Sequence, residues 1–68
     1  MENHNLSNIG SKVRKARRSK GLSQTDLSKN LGISASYLNL IESGRRTITV
    51  PLLIKMGNEL GIALKDLT

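Results

Sequence analysis

The sequence contains no cysteine, no tryptophan and no phenylalanine, and it has a single proline in 68 residues. Because cysteine is absent, neither disulfide bonds nor thiolate metal sites can hold the fold together, which is compatible with a reducing cytoplasm. No apolar run approaches the ~20 residues that a membrane span needs, and the polar start MENHNLSN has no signal-peptide core. We therefore expect a soluble cytoplasmic protein that does not enter a membrane.

Catalytic and metal-binding groups are also scarce. The one histidine, His4, lies in the polar and unpatterned N-terminal end, and the five acidic residues are scattered along the chain. This leaves neither a nucleophile–base pair nor a set of metal ligands to consider. The sequence therefore predicts no enzyme, no metal site and no cofactor, and it predicts that His4 is inert.

Positive charge is abundant and unevenly placed. Eleven lysines and arginines against five acids give a net charge of +6. Six of the eleven lie between Lys12 and Lys20, and Arg45 and Arg46 form a second cluster. The clusters bracket residues 24–43, which suits contact with duplex phosphates; ordinary solvated helix faces are the alternative. The single aromatic residue, Tyr37, argues against the stacking platforms of single-strand and RNA binders.

The bracketed segment, QTDLSKNLGISASYLNLIES, reads as two short amphipathic helices joined by a glycine turn at Gly32. The first helix should run from residue 24 to residue 30 or 31 and the second from residue 35 to residue 43, since apolar residues recur at helical spacing in both. Ser23 and Asp26 nearly match a capping box, and Ser34 is the predicted N-cap of the second helix. Two helices set at a steep angle by such a turn form the DNA-reading helix-turn-helix.

Three more helices complete the predicted fold. Helical spacing predicts one helix over residues 7–19, ended by Gly21. Thr49 should cap a fourth helix that has Pro51 in its first turn, and a single-turn helix should end near Leu67. The fold class is therefore all-α, a compact five-helix domain over residues 7–68 after a disordered end at 1–6. The regularly spaced aliphatic residues are the expected core: Leu22, Leu27, Leu31, Ile33, Leu38, Ile41, Leu53, Met56 and Leu60. The sequence does not explain Gly10 inside the first helix.

GLSQTDLSKNLGISASYLNLIESGRR, followed by TVPLLIKMGNELGI, resembles the lambda-repressor-like, Xre/Cro-type helix-turn-helix domain. The block ISASYLNLIESGRRTITVPLL is also similar to the N-terminal domain of the much longer regulators of short-chain fatty-acid metabolism. Short phage repressors and restriction–modification controller proteins are similar as well. The resemblance implies a sequence-specific transcriptional regulator, a repressor or an activator, that reads the major groove of double-stranded DNA with its third helix.

The resemblance also implies roles for individual residues. Ser36 and Asn39 can hydrogen-bond to base edges, and an asparagine suits adenine in bidentate geometry. Leu40 departs from the polar residue common in the family, and Tyr37 has a half-buried core position as its alternative role. The predicted base contacts are Ala35, Ser36, Asn39 and Leu40. The predicted phosphate contacts are Gln24, Ser34, Tyr37, Arg45, Arg46 and Thr47.

In the family a helix 1 arginine pairs with a glutamate near the end of the reading helix, and Arg17 and Glu42 match those places. This pair should be structural, because an unpaired carboxylate would repel the DNA backbone. The resemblance further implies a homodimer on an inverted repeat. Its surface is expected among the C-terminal aliphatic residues: Ile48, Val50, Leu52, Ile54, Ile62, Leu64 and Leu67. No small-molecule ligand is evident, and the expected location is the nucleoid. A protein-interaction or antitoxin-like module on the same fold is the alternative function.

Overall fold

The computed structural model describes residues 6–67, with the side chains of residues 6–8 and 64 left out of the description. This range contains five α-helices and no strand: Leu6–Ser19 (α1), Gln24–Leu31 (α2), Ala35–Glu42 (α3), Val50–Leu60 (α4) and Leu64–Leu67 (α5). The all-α prediction is confirmed. Helix α1 begins one residue before the predicted start, and α3 ends one residue early, with Ser43 as its C-cap. His4 and the rest of the predicted disordered end, apart from Leu6, lie outside the described residues.

The helix starts follow the caps that the sequence predicts. The Ser23 hydroxyl accepts from the Asp26 amide at 2.9 Å, and the Asp26 carboxylate accepts from the Ser23 amide at 3.1 Å. This reciprocal pair is a complete capping box. Ser34 caps α3 through the Tyr37 amide, and Thr49 caps α4. The start of each of these helices is therefore fixed by local side chains.

The ends of α1 to α4 share one backbone pattern. A glycine in the left-handed conformation, such as Gly32 with φ 73° or Gly44 with φ 79°, follows the helix. The next amide then bonds back to a carbonyl of the last turn, as in the Schellman motif. After α1, α2 and α4 that next residue is aliphatic and packs against the core: Leu22, Ile33 and Ile62. After α3 it is Arg45, which is exposed.

The core lies between all five helices. Its buried aliphatic residues are Val13, Leu27, Leu31, Leu38, Ile41, Leu53, Met56, Leu60 and Leu67. Of the predicted core residues, Leu22 and Ile33 are partly buried and pack at its edge. The prediction for Leu67 is wrong: this residue was expected on a dimer surface, but its side chain is buried and only 1% exposed. The reason is that α5 folds back onto α1 and α4, so its last residue closes the core.

Gly10 lies where α1 crosses the end of α3. A Cβ atom at this position would lie 2.3 Å from the carbonyl oxygen of Ile41 and 2.7 Å from that of Glu42. Both neighbours are backbone atoms, which cannot move aside as a flexible side chain can. The two helices therefore touch backbone to backbone, and this contact accounts for the glycine.

Helix α4 is tied to the end of α2 by a charged side chain. The ammonium of Lys55 donates to the carbonyl oxygen of Leu31 at 3.2 Å. A cation at this place satisfies a carbonyl that has no partner within the helix and complements the negative end of the helix dipole. Within residues 6–67, no helix is both long and apolar enough to span a membrane.

Candidate nucleic-acid interface

Helix α3 has a buried face and an exposed face. Leu38, Ile41 and Glu42 are buried, whereas Ser36 and Asn39 are exposed and Leu40 is partly exposed. On an α-helix, residues 36 and 40 lie one above the other on the side opposite the core face. We call residues 35, 36, 39 and 40 the α3 strip. The four predicted base-contacting residues therefore lie together on or beside the solvent side of α3.

The N-terminus of α2 borders the strip on one side. The side-chain amide nitrogen of Gln24 donates to Oδ1 of Asn39 at 3.2 Å and to Oε1 of Glu42 at 3.1 Å. Both hydrogens of this amide are used within the protein. The backbone amides of Gln24 and Thr25, in the first turn of α2, have no acceptor within the helix and are suited to bind an anion.

The loop after α3 borders the strip on the other side. The Tyr37 hydroxyl donates to the carbonyl oxygen of Thr47 at 3.5 Å, and the Tyr37 ring packs partly buried against the core. This agrees with the alternative considered for Tyr37, a half-buried core side chain, and leaves its hydroxyl at the loop. Arg45, Arg46 and Thr47 are exposed. Two guanidinium groups therefore follow α3 directly.

The position of Arg45 follows from the turn at Gly44. The Arg45 amide donates to the Leu40 carbonyl oxygen at 2.9 Å, so the backbone of Arg45 is fixed as firmly as that of the aliphatic residues in the other three turns. An aliphatic side chain there would pack inward, which is the usual accompaniment of this motif. The sequence has a cation instead, and its charge remains in solvent beside the α3 strip.

Beneath the strip, Arg17 and Glu42 form a bidentate ion pair. Nε of Arg17 donates to Oε2 of Glu42 at 2.7 Å, and Nη2 donates to Oε1 at 3.0 Å. The Glu42 side chain is 0% exposed and that of Arg17 is 8% exposed. Arg14, which is partly exposed, adds a weaker contact at 3.4 Å. The pair expected from the sequence therefore lies between α1 and the end of α3.

The surroundings keep Glu42 ionised. Burial by itself raises the pKa of Glu42, but the hydrogen bonds from Arg17, Gln24 and Arg14, together with the charge of Arg17, outweigh it and lower the pKa below its ordinary value. The hydrogen bond to Glu42 in turn raises the pKa of Arg17. The carboxylate is neutralised within the protein, so it does not oppose an anion bound at the α3 strip.

Sequence reasoning missed the Arg14 contact. The family resemblance implies that Gln24 braces the reading helix, but it does not name Asn39 as the partner. Arg14 lies three residues before Arg17, so helical spacing could have placed both near the same partner. The Gln24–Asn39 bond joins two helices and has no local signal. The described residues include no group of three or more His, Cys, Asp and Glu side chains able to hold a metal ion.

Two short helices joined at a glycine turn, with one face of the second helix exposed between the first turn of α2 and a loop that carries two arginines, define a helix-turn-helix domain. The helix-turn-helix family model matches residues 13–67, and the chain belongs to this family. The predicted lambda-repressor-like class is thereby confirmed. The domain is of the DNA-binding kind that transcription regulators carry.

Solved structures and curated relatives agree with this class. The restriction–modification controller protein C.AhdI from Aeromonas hydrophila superposes with a TM-score of 0.86 at 32% identity, covering 93% of this chain and 96% of that one. The biofilm regulator SinR, solved in complex with DNA, gives 0.81 at 28% identity, covering 87% and 95%. The transcriptional regulator PrpR of Mycobacterium tuberculosis is 44% identical over 45 residues, which are 66% of this chain and 9% of that protein.

Proposed function

We propose that this domain binds a specific double-stranded DNA sequence, with α3 in the major groove, and so represses or activates a promoter. The observation that carries the proposal is the position of the α3 strip. It lies between the first turn of α2 and the basic loop after α3, and both of these borders suit phosphates. A duplex groove presents that order, with base edges between two phosphate backbones.

The proposed base contacts are those of the α3 strip. Ser36 and Asn39 are exposed and supply hydrogen-bonding groups, which is the chemistry of direct readout. Ala35 and Leu40 are partly exposed and supply methyl groups, which can contact a thymine methyl. The departure of Leu40 from the polar residue common in the family therefore favours an apolar contact at that base pair.

The proposed phosphate contacts surround the strip. The amides in the first turns of α2 and α3, at Gln24 and after Ser34, have no acceptor within their helices and bind one backbone. For Gln24 we assign this contact to the backbone amide, since its side-chain hydrogens are used by Asn39 and Glu42. The exposed residues of the loop bind the other backbone, together with the hydroxyl of the tyrosine that borders it: Arg45, Arg46, Thr47 and Tyr37.

We propose a homodimer built on α4. Val50 and Ile54 lie four residues apart on this helix, on one face, and are 64% and 48% exposed. Among the described side chains the expected surface is reduced to these two residues, because Ile48, Leu52 and Ile62 pack against the core and Leu67 is buried. The Leu64 side chain lies outside the description. So small an apolar patch favours a weak dimer that forms mainly on DNA, on an inverted repeat.

Selection of bound duplexes from a random pool tests the function directly. We expect an enriched inverted repeat, whereas a protein-interaction module would enrich none. On a single half-site of that duplex, five or six phosphate contacts predict that log K falls against log salt with a slope of about −5. A slope near zero would contradict DNA binding. The proposed function places the protein on the nucleoid.

A further inference from the structure

A chain of hydrogen bonds runs from the core to the α3 strip through Glu42, Gln24 and Asn39. The ionised Glu42 carboxylate can only accept, so the Gln24 amide must turn its nitrogen towards it. The second hydrogen on that nitrogen then points at Asn39, whose Oδ1 accepts it. Because the amide of Asn39 is planar, its nitrogen lies on the branch away from Gln24. The buried carboxylate therefore fixes the orientation of an exposed amide.

We propose that Asn39 acts on DNA as a hydrogen-bond donor, and that it favours guanine over adenine at the base pair it contacts. Guanine presents two neighbouring acceptors in the major groove, N7 and O6. Bidentate contact with adenine needs the carbonyl oxygen of an asparagine at the adenine N6 amine, and in this protein that oxygen faces Gln24. The adenine preference expected from the sequence is thus reversed. This inference rests on the proposed function.

Gln24 is a positioning residue in this scheme, because it acts on the bases through Asn39. Its own phosphate contact, through the backbone amide, affects all sequences alike. Substitution of its side chain should therefore change the ratio of the affinities for guanine and adenine. A lost phosphate contact or a less stable fold would weaken both affinities equally and leave their ratio unchanged. Ser36 supplies a matched control on the same strip, since its hydroxyl is not part of the hydrogen-bond chain.

The experiment starts from the selected duplex. Affinities of the wild-type protein and of Asn39→Ala are measured for every single base-pair change, and the pair at which the two proteins differ is the one that Asn39 contacts. There we expect the wild type to prefer guanine to adenine by roughly two- to tenfold, the worth of one net hydrogen bond. The preference should vanish in Asn39→Ala, shrink in Gln24→Leu and persist in Ser36→Ala. Replacing guanine by 7-deazaguanine, which lacks N7, should weaken binding of the wild type but not of Asn39→Ala.

Two results would overturn the inference while leaving DNA binding intact. One is a wild-type preference for adenine that disappears when adenine is replaced by purine, which lacks the N6 amine. The other is an Asn39→Ala protein with unchanged base preferences at every position. If the wild-type protein enriches no duplex, the proposed function fails together with the inference.

Discussion

At the scale of single residues, Arg17 shows how a cation in a basic protein can be structural. Three of its guanidinium donors are used inside the molecule, two by Glu42 and one by the carbonyl oxygen of Leu22 at 2.8 Å. Its neighbour Arg18 is exposed. The two arginines carry the same charge in the same helix turn, so their substitution separates a structural role from general electrostatic attraction.

Arg17→Ala should destabilise the fold strongly. Removing one partner of a shielded ion pair leaves the other charge buried, which costs about 3–5 kcal/mol. In a domain of this size we expect the melting temperature to fall by more than about 10 °C. Thermal unfolding followed by circular dichroism measures this, with Arg18→Ala as the control. Equal melting temperatures for the two variants would contradict a structural pair.

Glu42 should make stability depend on acid pH. Its folded-state pKa lies below the ordinary value of 4.5, so its contribution is complete above that pH and is lost as the pH falls through the lowered pKa. Urea unfolding of the wild type and of Glu42→Gln, from pH 7 to pH 2, tests this. The wild type should be the more stable at pH 7, and the difference should shrink below pH 4.5. A difference that stays constant with pH would be inconsistent with an ionised, paired Glu42.

The pKa of Asp26 is lowered too, mainly by the hydrogen bond from the Ser23 amide. Asp26 therefore also stabilises the fold at neutral pH, and this contribution is also lost as the pH falls. Asp26 is fully exposed at the start of α2, and its effect is therefore screened by solvent. Asp26→Asn serves as the matched control in the same titration, and it should retain most of the acid dependence.

At the scale of helices, the crossing of α1 over α3 depends on Gly10. Glycine to alanine inside a helix ordinarily stabilises by about 0.5–1 kcal/mol. Gly10→Ala should instead destabilise by about 1–3 kcal/mol, because the added Cβ would meet backbone oxygens of α3. Urea midpoints of Gly10→Ala and of Ser11→Ala, an exposed neighbour, give the comparison. A gain in stability for both variants would mean that the crossing can relax.

The turn after α3 predicts a change in binding without a change in stability. Arg45→Ala removes an exposed charge but keeps the backbone hydrogen bond that fixes the turn. We expect an unchanged melting temperature, weaker binding to all sequences alike, and a salt slope smaller in magnitude by about 0.9. Lys29→Ala, an exposed cation in the last turn of α2, is the control and should leave the slope unchanged. Loss of discrimination between sequences in Arg45→Ala would contradict a phosphate contact.

The helices could be predicted from the sequence because their signals are local. The starts of α2, α3 and α4 are indicated by their N-cap residues, which are Ser23, Ser34 and Thr49. A glycine follows the end of each of these helices. The caps act within four residues of their own position, so no knowledge of the tertiary fold is needed. The residues of the α3 strip were expected from the family resemblance, and helical spacing agrees with it, since it separates Leu40 from Leu38 and Ile41.

Contacts between distant parts of the chain could not be predicted in this way. Gly10 is explained only by the carbonyl oxygens of α3, some thirty residues later. Leu67 was assigned to a surface because nothing in the sequence says that α5 folds back onto the core. The orientation of Asn39 depends on Gln24 and Glu42, on two different helices. Each of these three features depends on how the helices pack in the tertiary structure, and local periodicity gives no information on that packing.

At the scale of the whole molecule, the exposed apolar residues of α4 allow the proposed dimer to be tested separately from DNA binding by one subunit. Val50→Ser combined with Ile54→Ser should leave affinity for a single half-site unchanged. Binding to a complete inverted repeat should fall on the order of 10²-fold, since the advantage of linking two binding events is lost. Gel-shift titration on both duplexes measures this, with Asn58→Ser, an exposed polar residue of α4, as the control. Equal losses on both duplexes would place the two residues at the DNA instead.

The hydrogen bond from Lys55 to the end of α2 bears on the distance between half-sites in the proposed dimer. Lys55 follows Ile54 directly, so the helix proposed to join two subunits is also bonded to the helix pair proposed to read each half-site. In a dimer joined through α4, the distance between the two reading helices would be set by the fold rather than by a flexible linker. Lengthening the operator's central spacer by about five base pairs would turn one half-site to the opposite side of the duplex. Only one subunit could then engage at a time.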